Sequence, residues 1–205
     1  MFKIIKKEPL NPSMTRMVIE APFVARKAMP GQFIILRVNE TGERIPLTIA
    51  DYDREAGTVT IIYQKVGKST LLLDEQEAGG YLMDFIGPLG KASELEGYKK
   101  AAVIGGGAGC AIAYPQAKAL HAMGTKVDMI AGFRDKDMII LENEMREASD
   151  RLIVMTDDGS NGNKGFVTAA LQKNIDEGAD YDLVIAIGPI PMMKAVSNLT
   201  KPYGI

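Results

Sequence analysis

The chain is poor in the residues from which most catalytic and metal centres are made. Its 205 residues include one cysteine, Cys110, and one histidine, His121. A single cysteine closes no internal disulfide, and no Cys/His cluster offers metal-ligand spacing, so no metal site is expected. Any Ser–His or Cys–His nucleophile would have to use His121. That residue falls near the end of a predicted helix, where a cation suits the helix dipole, and a structural role is the plainer reading. Charge of one sign is lacking too. Lys and Arg number 24 against 26 Asp and Glu, a formal net charge of −2, and no long basic stripe is present. Nucleic acid is therefore not an expected partner. No stretch nears the ~18 apolar residues of a membrane span. Residues 1–8 mix charges with apolar side chains, unlike a secretory signal or a membrane anchor. With neither an export signal nor paired cysteines, the expected location is cytoplasmic.

What is present is an ordinary globular composition, 46% hydrophobic and 24% charged, in a chain long enough to bury a core without staples. Its two halves differ in period. Residues 1–97 read as β, with strands at 14–21, 33–38 and 58–64, turn signals such as Asn39-Glu40-Thr41-Gly42, and one helix at 69–77. Short strands punctuated by Pro and Gly predict an antiparallel barrel or sandwich. Residues 98–205 alternate strands at 100–104, 125–131, 151–156 and 182–187 with helices at 110–123, 141–148, 165–176 and 192–199. That alternation predicts an α/β domain with a parallel, doubly wound, Rossmann-like sheet.

The strongest chemical signal is Gly105-Gly106-Gly107-Ala108-Gly109, a glycine run between an apolar strand and a helix. Bare backbone N–H groups at a positive helix end favour a pyrophosphate, and glycine lets the backbone approach it. The spacing is not G-x-G-x-x-G, because Cys110 takes the last place, and tight structural turns also use glycine. Later strand ends carry Arg134, the pair Asp157 and Asp158, and Gly188-Pro189-Ile190-Pro191-Met192-Met193. In open α/β sheets ligands sit at such carboxyl ends. Asp157 or Asp158 can bind ribose hydroxyls, or Asp-Asp-Gly-Ser can simply be a turn. Arg134 can meet a phosphate or only solvent. In the first half, Arg44-Ile45-Pro46-Leu47-Thr48 places a guanidinium and a hydroxyl on an apolar strand. Gly67-Lys68-Ser69-Thr70 opens a helix as a second anion-site candidate. It is not a P-loop, since Ile62 stands where the first glycine belongs. Two nucleotides, one per half, are the expectation.

The order of these segments resembles the ferredoxin-NADP reductase superfamily. The likeness is to the branch of the dihydroorotate dehydrogenase electron-transfer subunit and the small subunit of NADH-dependent ferredoxin:NADP oxidoreductase. It rests on the motifs above with Tyr63-Gln64-Lys65-Val66-Gly67-Lys68-Ser69-Thr70 and Gly87-Pro88-Leu89-Gly90, and it spans nearly the whole chain. The resemblance implies an FAD-binding barrel at 1–97 and an NAD(P)-binding domain at 98–205. The residues implied for FAD are Arg44, Pro46, Leu47, Thr48, Ile62, Tyr63, Gly67, Lys68, Ser69 and Thr70. Thr48 takes the place of the serine in the superfamily's R-x-Y-S pattern, near flavin N5, and Leu47 that of the aromatic. Arg44 lies one residue early. Those implied for NAD(P) are Gly105, Gly106, Gly107, Gly109, Cys110, Arg134, Asp157, Asp158, Gly188, Pro189 and Met192. Ile112 replaces a usual proline, and Cys110 is either near the nicotinamide or a small space-filling residue.

The activity implied is hydride transfer between NAD(P)H and FAD, with electrons relayed to an iron–sulfur cluster or a larger catalytic or flavoprotein subunit. A regulatory nucleotide-binding module without turnover is the competing class. The branch holds a [2Fe–2S] cluster in a cysteine-rich tail, and such a cluster needs about four thiolates. Those ligands are absent here, and the chain reads as cut off before that segment, with residues 201–205 entering a strand. Asp157 and Asp158 favour NADH, since carboxylates repel a 2′-phosphate.

Overall fold

The computed structural model describes residues 1–205, which divide into two compact units, Met1–Ser93 and Glu94–Ile205. The first unit contains β1 (Phe2–Asn11), β2 (Met14–Glu20), α1 (Pro22–Lys27), β3 (Phe33–Arg37), β4 (Ile45–Asp53), β5 (Thr58–Gln64), α2 (Lys68–Asp74), β6 (Tyr81–Leu82) and β7 (Asp84–Leu89). Its strands form one antiparallel sheet in the order β6-β1-β2-β5-β4-β3-β7. The two ends of that order, β6 and β7, are separated in the chain by Met83 alone, whose N–H donates to the carbonyls of Arg37 and Val38. The sheet therefore curls back on itself as a nearly closed barrel, which leaves little edge to pair with another chain.

Period-2 alternation fills the barrel. Val59, Ile61 and Tyr63 of β5, Met17 and Ile19 of β2, and Ile34 and Leu36 of β3 point inward and are buried. Leu73 brings α2 onto the same core, and Val24 and Ala25 bring α1. The sequence reading lacks β1, α1, β6 and β7. In β1 only Ile4 and Asn11 are buried, and its charged Lys-Lys-Glu segment hides the alternation.

The second unit contains β8 (Lys100–Gly106), α3 (Cys110–Ala122), β9 (Lys126–Phe133), α4 (Glu142–Glu147), β10 (Arg151–Thr156), α5 (Val167–Asp176), β11 (Leu183–Ile187) and α6 (Ile190–Thr200). The four strands are parallel in the order β10-β9-β8-β11. Helix α3 packs with α4, and α5 with α6. Ala101 to Ile104 and Met129 to Ala131, in the central strands β8 and β9, are fully buried, as strands covered on both faces must be. The chain runs β8, β9, β10 in one direction and then crosses to the far side of β8 for β11. That reversal makes a crevice at the carboxyl ends of β8 and β11.

One expectation is corrected. Residues 201–205 do not enter a strand: Lys201–Tyr203 form a 3₁₀ turn continuing α6. Thr200 and Lys201 keep right-handed helical angles, and Pro202 has the fixed φ of a first helical turn.

Candidate nucleotide sites

In the second unit a cavity of about 520 Å³ opens at the reversal point, within the ~300–1,000 Å³ usual for small-molecule sites. Every strand end contributes. Gly106 and Gly107 come from β8, Gly132, Phe133 and Arg134 from β9, Asp157 from β10, and Pro189 from β11. The first turns of α5 (Val167, Thr168) and α6 (Pro191, Met192) complete the wall. Two helix N-termini and a bare glycine turn thus face one space, an arrangement that favours an anionic ligand.

The glycine run divides by function. Gly107 has φ +54°, and a Cβ there would meet nothing, so it needs glycine for its backbone turn and faces open space. Elsewhere glycine is required by contact. A Cβ on Gly105 would lie 2.7 Å from Cys110 Sγ, one on Gly106 2.6 Å from Met192 Sδ, and one on Gly109 would strike the carbonyl oxygen of Ile187. Gly188 is crowded in the same way by Met192. Of the expected residues, Gly106, Gly107, Arg134, Asp157, Pro189 and Met192 line the cavity, whereas Gly105, Gly109, Cys110, Asp158 and Gly188 are not part of its wall. Cys110 is fully buried, and burial pushes its thiol up to about 12, leaving a neutral packing group.

The structure also separates the two aspartates. Asp158 Oδ1 accepts from the Ser160 N–H at 2.9 Å, closing an Asx-type turn. Hydrogen bonds from the Ser160 side chain and backbone hold its carboxyl below the usual range. Asp157 instead lines the cavity, its backbone N–H fixed to the Phe133 carbonyl at 3.0 Å. Arg134 keeps 78% of its side chain exposed and donates from Nε to Asp135 at 3.0 Å. The sequence reading missed Phe166, which lines the cavity while 70% exposed. The signal was a large aromatic at a helix N-cap, where Ser, Thr, Asp or Asn is the rule.

In the first unit each anion-site candidate is held by hydrogen bonds of its own. Ser69 Oγ, in the first turn of α2, donates to Glu43 Oε2 at 3.2 Å, which ties the residue before Arg44 to the helix start. Arg44 Nη2 donates to Asp84 Oδ2 at 2.9 Å. The Thr70 hydroxyl accepts from the N–H groups of Val66 and Gly67, both at 3.1 Å, and so fixes the loop entering α2. The N–H groups of Lys68, Ser69 and Thr70 have no intrahelical acceptor, and a Cβ on Gly67 would meet nothing within 4 Å.

On β4, Pro46 and Thr48 share one face, while Leu47 joins Ile45 against the barrel core. Leu47 is only partly buried there. Ile62 is half-buried on the outer face of β5. Tyr63 is 2% exposed and points into the core, where its hydroxyl donates to Asp74 Oδ1 at 3.1 Å. Its side chain is a core anchor, a consequence of alternation that the motif alone did not reveal.

A family described as oxidoreductase NAD-binding domain matches residues 103–198. A Thermotoga maritima protein described as a dihydroorotate dehydrogenase B (NAD(+)) electron transfer subunit homolog is 41% identical over 203 residues, covering 99% of this chain and 71% of its own. The electron transfer subunit of dihydroorotate dehydrogenase B (NAD(+)) from Fusobacterium nucleatum is 35% identical over 196 residues, covering 92% and 75%. Among solved structures, an NADH-dependent reduced ferredoxin-NADP oxidoreductase studied for flavin-based electron bifurcation matches with a TM-score of 0.92 and 39% identity. It covers all of this chain and 74% of that one. A ferredoxin reductase of carbazole 1,9a-dioxygenase, 20% identical with a TM-score of 0.81, shares the fold.

Proposed function

The chain belongs to the family of dihydroorotate dehydrogenase B electron transfer subunits, of ferredoxin-NADP reductase-like fold, and from that premise we propose that it is a flavoprotein electron-transfer subunit. In this reading the barrel unit binds FAD, the α/β unit binds a nicotinamide nucleotide, and electrons leave for a larger catalytic or flavoprotein subunit. The observation that carries the reading is the cavity at the β8–β11 reversal, with Gly107, Asp157 and Phe166 on its wall.

The residues present fit both nucleotides. In the α/β unit, the open space at Gly107 admits a pyrophosphate to the backbone, and the starts of α5 and α6 favour its charge. Asp157 accepts from ribose hydroxyls and repels a 2′-phosphate, which favours NADH over NADPH. Phe166 offers an exposed aromatic face for a base. In the barrel unit, Arg44 and the first-turn N–H groups of α2 would hold the FAD phosphates, with Pro46, Thr48 and Ile62 along the flavin. Bound together, the two cofactors supply hydride transfer and the onward release of electrons. The protein then needs no side-chain general base, in keeping with a buried neutral Cys110.

An iron–sulfur cluster does not fit these residues. It needs about four thiolates, and this chain has one cysteine, buried, and no cluster of metal-ligating side chains. The onward carrier therefore lies outside them. No helix is long and apolar enough to cross a membrane. A cytoplasmic location, resting on the lone unpaired thiol, goes with the proposal.

Equilibrium binding tests the assignment. Purified protein should take up stoichiometric FAD, and NADH should bind more tightly than NADPH. A protein that stays colourless after reconstitution and binds neither nucleotide is incompatible with this function.

A further inference from the structure

Arg44 precedes β4, so no strand pleat fixes the direction of its side chain. Its orientation comes instead from Asp84, the first residue of β7. Asp84 Oδ2 accepts from Arg37 Nε at 2.7 Å and from Arg44 Nη2 at 2.9 Å. Arg37 and Asp84 are register partners across β3 and β7, so the carboxylate is held by the barrel's own hydrogen-bonded ladder. Order then passes outward, from sheet register to Asp84 and from Asp84 to the guanidinium of Arg44, whose side chain is 54% exposed. One carboxylate between two guanidiniums leaves a net positive charge, and Arg44 has donors beyond the one used by Asp84.

We propose that Asp84 is a positioning residue, aiming the Arg44 guanidinium at the diphosphate of the flavin nucleotide. This rests on the reading of the barrel as the FAD unit, and it explains how an arginine lying one residue early can serve that role. Glu43, which holds Ser69 on the adjoining helix start, fixes the same loop from the other side.

The sign of one substitution separates positioning from simple electrostatics. Removing a negative charge next to an anion site should tighten phosphate binding if charge alone matters. Loss of aim should weaken it. The measurement is the affinity of the full chain for FAD and for riboflavin, which lacks the phosphates, by flavin fluorescence quenching. Asp84→Asn should weaken FAD binding about tenfold and leave riboflavin within about twofold. In an Arg44→Gln background the same change should alter FAD affinity less than about twofold, because the residue it positions is gone.

Unchanged or tighter FAD binding in Asp84→Asn overturns the proposal, as does an equal loss of FAD and riboflavin, or an undiminished effect in the Arg44→Gln background. If Asp84→Asn does not fold, Arg44→Lys carries the test. It keeps the charge but loses the planar fork; FAD affinity should fall while riboflavin holds, and unchanged FAD affinity overturns the idea. A wild-type chain that binds neither flavin defeats the FAD assignment itself, a result distinct from these.

Discussion

The two units approach a nucleotide in different ways. The α/β unit builds its cavity from backbone: glycines pressed against β11 and α6, and helix starts aimed inward. The barrel unit builds its candidate site from side chains on a loop and a short helix, namely Arg44, Glu43, Ser69 and Thr70, tied by hydrogen bonds at 2.9–3.2 Å. A site made of close-packed backbone cannot yield to a single added methyl group, whereas one made of side chains is tuned by charge and solvent. The contrast says where each unit is brittle.

The largest effect should come from adding one carbon where the backbone is tight. Gly109→Ala would push a methyl into the Ile187 carbonyl and should cost about 1–3 kcal/mol or more, as overpacking does. Gly107→Ala has open space and only its positive φ to resist it, so it should cost about 1–2 kcal/mol. Urea denaturation gives the order, and NADH titration should show Gly107→Ala binding weakly despite its better fold. Equal stability losses at the two positions would break the division of the glycine run into packing and ligand-facing residues.

Next in size is the aspartate pair. Asp157→Asn should weaken NADH binding by about tenfold and narrow the preference over NADPH, as loss of a charge-assisted hydrogen bond implies. Asp158→Asn should alter the Ser160 turn and leave nucleotide affinity within about twofold. The reverse ranking would exchange their roles.

The smallest effect belongs to the barrel and depends on pH. Burial raises the Asp74 carboxyl, but hydrogen bonds from Thr15 and Tyr63 and the charges of Lys7 and Lys65 outweigh it, so its pKa is lowered on folding. A depressed carboxylate contributes stability in full above its unfolded pKa of about 3.9 and loses it as pH falls through the lower folded value. Asp74→Asn should therefore cost about 1 kcal/mol at neutral pH and flatten the acid limb of the stability profile. Thermal melts across the acid range would show whether that limb persists.

How much of this could be read in the sequence follows from the same physics. Strands β8 and β9 announce themselves because both faces are covered and the runs are largely apolar. Strand β1 does not, because charged residues dominate its exposed positions. The glycine run is legible as a turn, yet nothing local tells Gly107 from Gly109; that depends on β11, about 80 residues away in the chain. Asp157 and Asp158 look alike until the turn claims one of them. Tyr63 and Leu47 sit in the right motifs, but sheet register turns both towards the core. Phe166 escaped because an exposed aromatic has no periodic signature.

The proposed function, that of a flavoprotein electron-transfer subunit, requires that a nicotinamide nucleotide reduce flavin bound to this chain. Anaerobic titration of the FAD-reconstituted protein with NADH tests it most directly. Flavin absorbance should bleach with stoichiometric NADH, more slowly in Asp157→Asn at limiting nucleotide. A flavin that binds but stays oxidised under excess NADH and NADPH would contradict the proposed function.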